Sequence, residues 1–238
     1  MNIMEKIPEI SVIIPALNEE KYIGNVFNGL RRQTFRNFEV IVSDNGSTDR
    51  TKEIARRHAK VVIEKRKGIS CNRNNGARKA KGRVLVFLDA DTKPSPGLLQ
   101  AYHDAMLGSV VAATGPILPL EKSRPAVEAG YKFVSIVFVK ASMKIGMPSI
   151  IGSNFAVLRS AYYKVGGFDE SLATYEDYDL SLRLKRFGRI VYVDDALVYA
   201  STRRVQKWGI LGYFLFHVGN MWRYHLLGRA KTNYESIR

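Results

Sequence analysis

The stretch VLVFLDAD, residues 84 to 91, decides how the chain is organised. Val84 to Leu88 form an uninterrupted apolar run, the composition of a strand buried on both faces. Asp89 and Asp91 follow immediately. Alternate positions of an extended chain point the same way, so the two carboxylates are expected together just past the strand end. Nothing in the local sequence pairs them, and they repel unless a cation joins them. Mg2+ or Mn2+ suits such a site, because these ions take one or two carboxylates and complete their shell with water and phosphate oxygens.

Upstream, strand and helix signals alternate. Ile10–Leu17 (ISVIIPAL) is a β-branched apolar run, and Asn18 is expected to cap a following helix, with Glu19 and Glu20 in its first turn. Ile23, Val26, Phe27 and Leu30 recur at helical spacing. Further strands are expected at Phe38–Ser43, Val61–Ile63 and Val84–Leu88, with helices at Asp49–His58 and Asn72–Ala80. Repeated strand–helix–strand units imply a mostly parallel α/β sheet. Ligands of such sheets sit beyond the carboxyl ends of the strands. Three of these ends carry polar clusters: Asn18-Glu19-Glu20, Asp44-Asn45-Gly46-Ser47 and Asp89-Ala90-Asp91. A turn accounts for Gly46 and Asp49 and leaves Asp44 free to accept an N–H from a ligand.

The second half is less regular. Strands are expected at Val110–Ile117 and Ile190–Val193, and helices at Ala126–Ile145 and Glu176–Phe187, the latter with Leu180, Leu184 and Phe187 on one stripe. Glu176 and Asp177 open that helix. Dipole compensation explains one of them, and a carboxylate on a rigid helix start is also placed to act as a general base. Ser201-Thr202-Arg203-Arg204 follows the last strand, and paired arginines suit diphosphate. No repeat or linker interrupts residues 1–205, which are expected to form one domain.

The net charge of +15 is concentrated in two blocks, +11 over residues 50–83 and +6 over residues 201–238. An anionic partner is expected: phosphate, anionic lipid or nucleic acid. Within residues 206–238, Lys207 and Arg223 bracket an uncharged run containing Trp208, Phe214, Phe216 and Trp222. It is shorter than the roughly 20 apolar residues of a membrane span. Two readings stay open, an amphipathic helix in a membrane interface and a helix on the protein's own core. The start, MNIMEKIPEI, shows no signal-peptide pattern, and the single Cys71 forms no intrachain disulfide.

Taken together, PALNEE (15–20), SDNGSTD (43–49), RNNGARKAKG (73–82), FLDADT (87–92), GSNFAVLRSAYYKVGGFDE (152–170) and YEDYDLSLRLKRFG (175–188) resemble a family 2 glycosyltransferase. The resemblance implies an α/β, GT-A (Rossmann-like) single domain and a nucleotide-sugar donor, a UDP-sugar or GDP-sugar. It implies Ala16, Asn18 and Glu19 around the nucleoside, Asp44 on the base, Arg73 near the phosphates or ribose, and Asp89 at the ribose or metal. Asp91 would hold the metal, Asp177 would be the general base, and Gly152, Ser153, Asn154 and Glu176 would shape the acceptor and sugar pocket. Arg203 and Arg204 are candidate phosphate contacts.

Processive relatives carry Gln-x-x-Arg-Trp late in the chain, where this one has STRRV at 201–205, so a single sugar addition is expected. The expected acceptor is a glycan, a lipid-linked sugar or a polyprenyl phosphate, met by a peripheral protein on the cytoplasmic face of a membrane. A sugar-phosphate nucleotidyltransferase would show a Gly-rich basic loop after its first strand, and PALNEE is not that. Nucleic acid is not an expected partner, because acidic clusters occupy the strand ends. A catalytically inactive nucleotide-sugar-binding homologue is the remaining alternative, against which Asp89, Asp91 and Asp177 are all present.

Overall fold

A computed structural model describes residues 7–209 together with 212, 219, 220, 223 and 224. The interfacial segment expected over 206–238 therefore lies mostly outside the described residues. In chain order the elements are β1 (Ile10–Ala16), α1 (Ile23–Arg31), β2 (Phe38–Asp44), α2 (Thr51–Arg56), β3 (Lys60–Ile63), α3 (Ile69–Ala77), β4 (Val84–Leu88), β5 (Thr92–Pro94) and α4 (Leu98–Ala105). There follow β6 (Val110–Thr114), β7 (Ile117–Pro119), α5 (Pro125–Lys132), a π-helical stretch (Phe133–Phe138), α6 (Val139–Lys144), β8 (Asn154–Leu158), α7 (Arg159–Lys164), α8 (Glu176–Leu184), β9 (Arg189–Tyr192) and β10 (Val198–Ala200).

Seven strands form the main sheet in the order β3-β2-β1-β4-β8-β6-β9. β1 pairs in parallel with β2 on one side and with β4 on the other, and only β8 runs against its neighbours. The chain steps outward from β1 to β3, then returns to the opposite side of β1. That reversal opens a crevice beyond the carboxyl ends of β1 and β4, where open α/β sheets bind ligands.

Alternation along the strands fills both faces. Val12 and Ile14 pack with the α1 stripe Ile23, Val26, Phe27 and Leu30 on one side, while Ile13, Leu85 and Phe87 pack with Phe155, Phe168 and Leu180 on the other. Helix α3 comes close enough to β1 that a Cβ on Gly76 would stand 2.6 Å from Ile13 Cγ2, so its polar residues are drawn into the core. Arg73, Asn74 and Asn75 are all buried.

Several expectations need correction. Asn18 does not cap α1, which begins at Ile23 after Tyr22, with no side-chain cap and no acidic residue in its first turn. Asn18 instead adopts φ +55° and bonds across to the loop after β2. The expected strand Val110–Ile117 splits, because its second part joins the small sheet β5-β10-β7. At the split, a Cβ on Gly115 would meet the Ala196 carbonyl at 2.2 Å, so only glycine fits. Helix α8 ends at Leu184, and Phe187 lies 42% exposed beneath the Lys164 ammonium. Strands β5, β8 and β10 and helices α4 and α7 were not expected as elements.

Candidate active site

Two loops at the carboxyl edge are stitched together. Asn18 N–H donates to Ser47 Oγ at 2.9 Å, Thr48 N–H donates to Asn18 Oδ1 at 2.8 Å, and Glu19 N–H donates to Thr51 Oγ1 at 2.7 Å. Asp44, at the end of β2, is fully buried. Its Oδ1 accepts the N–H groups of Gly46 and Ser47 at 3.0 and 2.9 Å, so the turn engages half of the carboxylate expected to be free. Its Oδ2 is buried without a hydrogen-bond partner. A buried orphan acceptor is costly, and a donor N–H arriving from a ligand would satisfy it. Ala16, buried at the end of β1, accepts Asn45 N–H at 2.9 Å and so fixes the spacing of the two loops.

The charged groups form one network. Arg73, on α3 and only 3% exposed, donates through Nη1 to Glu176 Oε1 at 2.7 Å and through Nη2 to Asp89 Oδ1 at 3.0 Å. It thus joins the start of α8 to the end of β4. Arg203 reaches back 184 residues to clasp Glu19 through Nη1–Oε2 at 2.8 Å and Nη2–Oε1 at 2.6 Å. The same Nη2 lies 2.9 Å from Asp91 Oδ2, and the guanidinium stands over the Tyr22 ring. Arg204 adds its positive field at Asp91. Five carboxylates (Glu19, Asp89, Asp91, Glu176, Asp177) thus meet three guanidiniums. Burial and the neighbouring Asp89 push the Asp91 carboxyl up to about 6.

Asp177 is held rather than loose. Its Oδ2 accepts Gly152 N–H at 2.9 Å, and its Oδ1 accepts Tyr178 N–H at 2.8 Å. Gly152 is tightly enclosed: a Cβ there would stand 3.0 Å from Arg73 Nη2 and 3.1 Å from Asp177 Oδ2, so one of these side chains would have to shift. Tyr175 sits just before α8 at φ +68°, a conformation uncommon outside glycine. Burial raises the Asp177 carboxyl, partly offset by Arg73, and burial together with the neighbouring Asp177 raises Glu176 to about 7. Ser153 is half-buried next to Gly152.

Asn154 is the residue whose side chain serves another purpose than the pocket. It is fully buried, donates to the carbonyls of Pro116 and Ala196 at 3.0 and 2.8 Å, and accepts Tyr102 Oη–H at 2.7 Å. Every polar atom it has is engaged with the scaffold. Asn154→Ala is expected to lower unfolding stability by about 2–4 kcal/mol, since it leaves buried carbonyls and a phenol unpaired. A urea denaturation curve measures the shift.

Among the described residues, no three His, Cys, Asp or Glu side chains form a ready metal cage. An ion held by one or two carboxylates, with diphosphate and water supplying the other positions, needs no such cage. Asp89 and Asp91 are hard oxygen donors in a region of excess negative charge, and Arg203 already offers Asp91 a positive partner. The donor set suits Mg2+ or Mn2+.

An α/β sheet with its acidic groups gathered at the strand-order reversal, an antiparallel β8 and a small accessory sheet define a domain of the GT-A class. Residues 11–166 match the sequence profile of Glycosyl transferase family 2. The chain belongs to that family. Among curated proteins it is 36% identical to glycosyltransferase AglE of Haloferax volcanii over 118 residues, covering 46% of this chain and 39% of that protein. It is 28% identical to validoxylamine A glucosyltransferase of Streptomyces hygroscopicus subsp. limoneus, covering 76% of this chain and 49% of that one. The chain thus spans half or less of the length of these two relatives. In fold it resembles the mannosyltransferase PcManGT from Pyrobaculum calidifontis, solved with GDP-Man and Mn2+, at TM-score 0.66 and 22% identity, covering 89% of this chain and 64% of that one. A fragment of S. aureus TarS solved with UDP-GlcNAc aligns at TM-score 0.64 and 24% identity, covering 82% and 59%.

No motif marks Arg203 as the partner of Glu19, or Arg73 as the link between Glu176 and Asp89. Their signal is distributed over residues 103 and 184 positions apart. Tyr22, under Arg203, carried no signal at all.

Proposed function

We propose that the protein is an inverting, metal-dependent glycosyltransferase that moves one sugar from a UDP- or GDP-sugar to an acceptor hydroxyl or phosphate. The observation that carries this is the gathering of Asp44, Asp89, Asp91 and Asp177 at the carboxyl edge, where Arg73 ties Asp89 to the start of α8 and Arg203 ties Asp91 to Glu19. The orphan Oδ2 of Asp44 would accept the base N–H, with Ala16, Asn18 and Glu19 shaping the nucleoside pocket. Asp91, with Asp89, would hold the divalent ion. When bound, that ion supplies positive charge to the departing diphosphate. Arg203 and Arg204 would turn from Asp91 toward the same phosphates.

Asp177 takes the proton as the acceptor oxygen bonds to the anomeric carbon and the bond from that carbon to the diphosphate oxygen breaks. The N–H groups of Gly152 and Tyr178 fix the direction of its carboxylate, which keeps the attack in line. If the acceptor is a lipid phosphate, it is already ionised, and Asp177 then positions it. The favoured acceptor is a lipid-linked sugar or polyprenyl phosphate, with the protein peripheral on the cytoplasmic face of a membrane. The basic aromatic stretch after residue 206 and the net charge of +15 support that setting.

The test is nucleotide release from a panel of UDP- and GDP-sugars, with and without Mn2+, comparing wild type with Asp44→Asn. One donor is expected to turn over only with metal. Asp44→Asn keeps an acceptor for the turn but presents an amide N–H to the base, so its donor KM should rise roughly tenfold or more. An unchanged KM, or turnover of no donor together with no nucleotide binding, would overturn the assignment.

A further inference from the structure

The helix running through Pro125–Lys132, Phe133–Phe138 and Val139–Lys144 carries its largest side chains outward. Toward the protein it turns Ser135, Val139 and Ser142, all buried, and Ser135 Oγ donates to the Ile117 carbonyl at 2.9 Å. Toward solvent it turns Phe133, Val134, Val137 and Phe138, which are 43 to 56% exposed, and Ile145 just past its end is 73% exposed. A surface helix ordinarily buries its apolar stripe and shows its polar one. Here apolar residues lie on both sides of a helix about 30 Å long, and the exposed patch marks a contact surface.

The charges around the stripe identify the contact. Lys132 and Lys144 are exposed on the helix, and Lys122 and Arg124 are exposed just before it. The one acid on the helix, Glu128, is ion-paired with Lys132 at 2.9 Å. An apolar stripe with basic residues beside it fits the boundary between acyl chains and anionic headgroups. A second copy of the chain is disfavoured as occupant, since each copy carries +15. Among the described residues no helix is long and apolar enough to cross a membrane, so this one would lie along the surface.

We propose that the outward face of residues 125–145 docks the protein on an anionic lipid bilayer, with Phe133, Val134, Val137 and Phe138 entering the interface. The helix stands close to the acidic motif. Tyr131 Oη–H donates to the Ser201 carbonyl at 3.2 Å, and Ser201 N–H donates to the Asp91 carbonyl at 3.1 Å. Docking through this face would bring a lipid-borne acceptor toward the side of the crevice that carries Asp91. The inference deepens the membrane-acceptor part of the proposed function and rests on it only for where the acceptor lies.

The experiment floats the full chain with phosphatidylcholine vesicles with and without phosphatidylglycerol, and measures vesicle-free donor turnover in parallel. Wild type is expected to float with the anionic vesicles. The triple variant Phe133→Ser, Val137→Ser, Phe138→Ser is expected to lose at least about tenfold in partition, with an unchanged thermal midpoint, because the three side chains are exposed. Lys132→Glu with Lys144→Glu is expected to lose about tenfold on anionic vesicles and nothing on neutral ones. Retention of the triple-serine variant at the wild-type level would overturn the proposal, as would a wild type that does not float. A wild-type dimer that the triple-serine change dissociates, seen by light scattering, would assign the face to a second copy instead. Absent donor turnover together with absent nucleotide binding in wild type sinks the transferase assignment and leaves the flotation result standing.

Discussion

Asp91→Asn is expected to lower metal-dependent donor turnover by roughly two to four orders of magnitude, the range a cation at a leaving diphosphate commands. The substitution preserves shape, so the turn between β4 and β5 and the neighbouring backbone should be undisturbed. What it removes is one anionic ligand from a site that offers at most two. Part of the loss is expected to return at high Mn2+, because Asp89 and the diphosphate still provide oxygens. In wild type, a chelator should abolish turnover and added Mn2+ should restore it. Steady-state nucleotide release titrated with Mn2+ reads all three effects. Wild-type rates in Asp91→Asn, with no change in metal dependence, would remove Asp91 from the metal site.

Asp177→Asn is expected to cost about two to four orders of magnitude in sugar transfer to a hydroxyl acceptor, with donor KM little changed, since general-base catalysis contributes on that scale. Two further readouts separate lost chemistry from lost structure. The first is the pH profile of wild-type kcat/KM. Burial holds the Asp177 carboxyl above its ordinary range, and the protonated form cannot accept a proton. Activity should therefore fall with falling pH along an acid limb that lies above the usual aspartate range.

The second readout is stability. Because the folded-state pKa is raised, the native state holds its proton over a pH range where the unfolded chain has released it. Stability from this group is full below the unfolded value of about 4 and declines as pH rises through the folded value. Asp177→Asn removes that penalty at neutral pH but sets its NH2 against one of the two backbone N–H donors, Gly152 or Tyr178. The effects oppose, so unfolding stability in urea should stay within about 1 kcal/mol of wild type there. A variant that loses activity and midpoint together would point to a structural role in holding Gly152.

The sequence by itself determined the N-terminal half. Apolar runs such as Ile10–Ala16 and Val84–Leu88 leave a strand no conformation but one covered on both faces, and the i, i+3, i+4, i+7 stripe of α1 names its buried side. These signals are local, because each residue's partners are set by the period of its own element. The expected elements accordingly match the observed ones to within a few residues there, and the three polar strand ends do meet at the crevice.

Only the tertiary structure decided the rest, for physical reasons visible in single residues. Strand β8 is an apolar run like any other, and nothing local says that it lies antiparallel between β4 and β6. Asn154 is a pocket residue only by the family resemblance. Its real partners, Tyr102, Pro116 and Ala196, lie far from it in sequence. Asp44 looked free until the turn claimed Oδ1 and left Oδ2 alone. The helix over 125–144 was legible as a helix, but its apolar residues gave no sign that they face solvent. Periodicity tells which residues share a face, and only packing against the rest of the chain tells which face is turned inward. Charge behaves the same way. The sequence counts Arg73 and Arg203 among basic blocks, whereas the fold spends both inside an acidic crevice, where long-range Coulomb attraction and shared burial, not sequence neighbours, choose their partners.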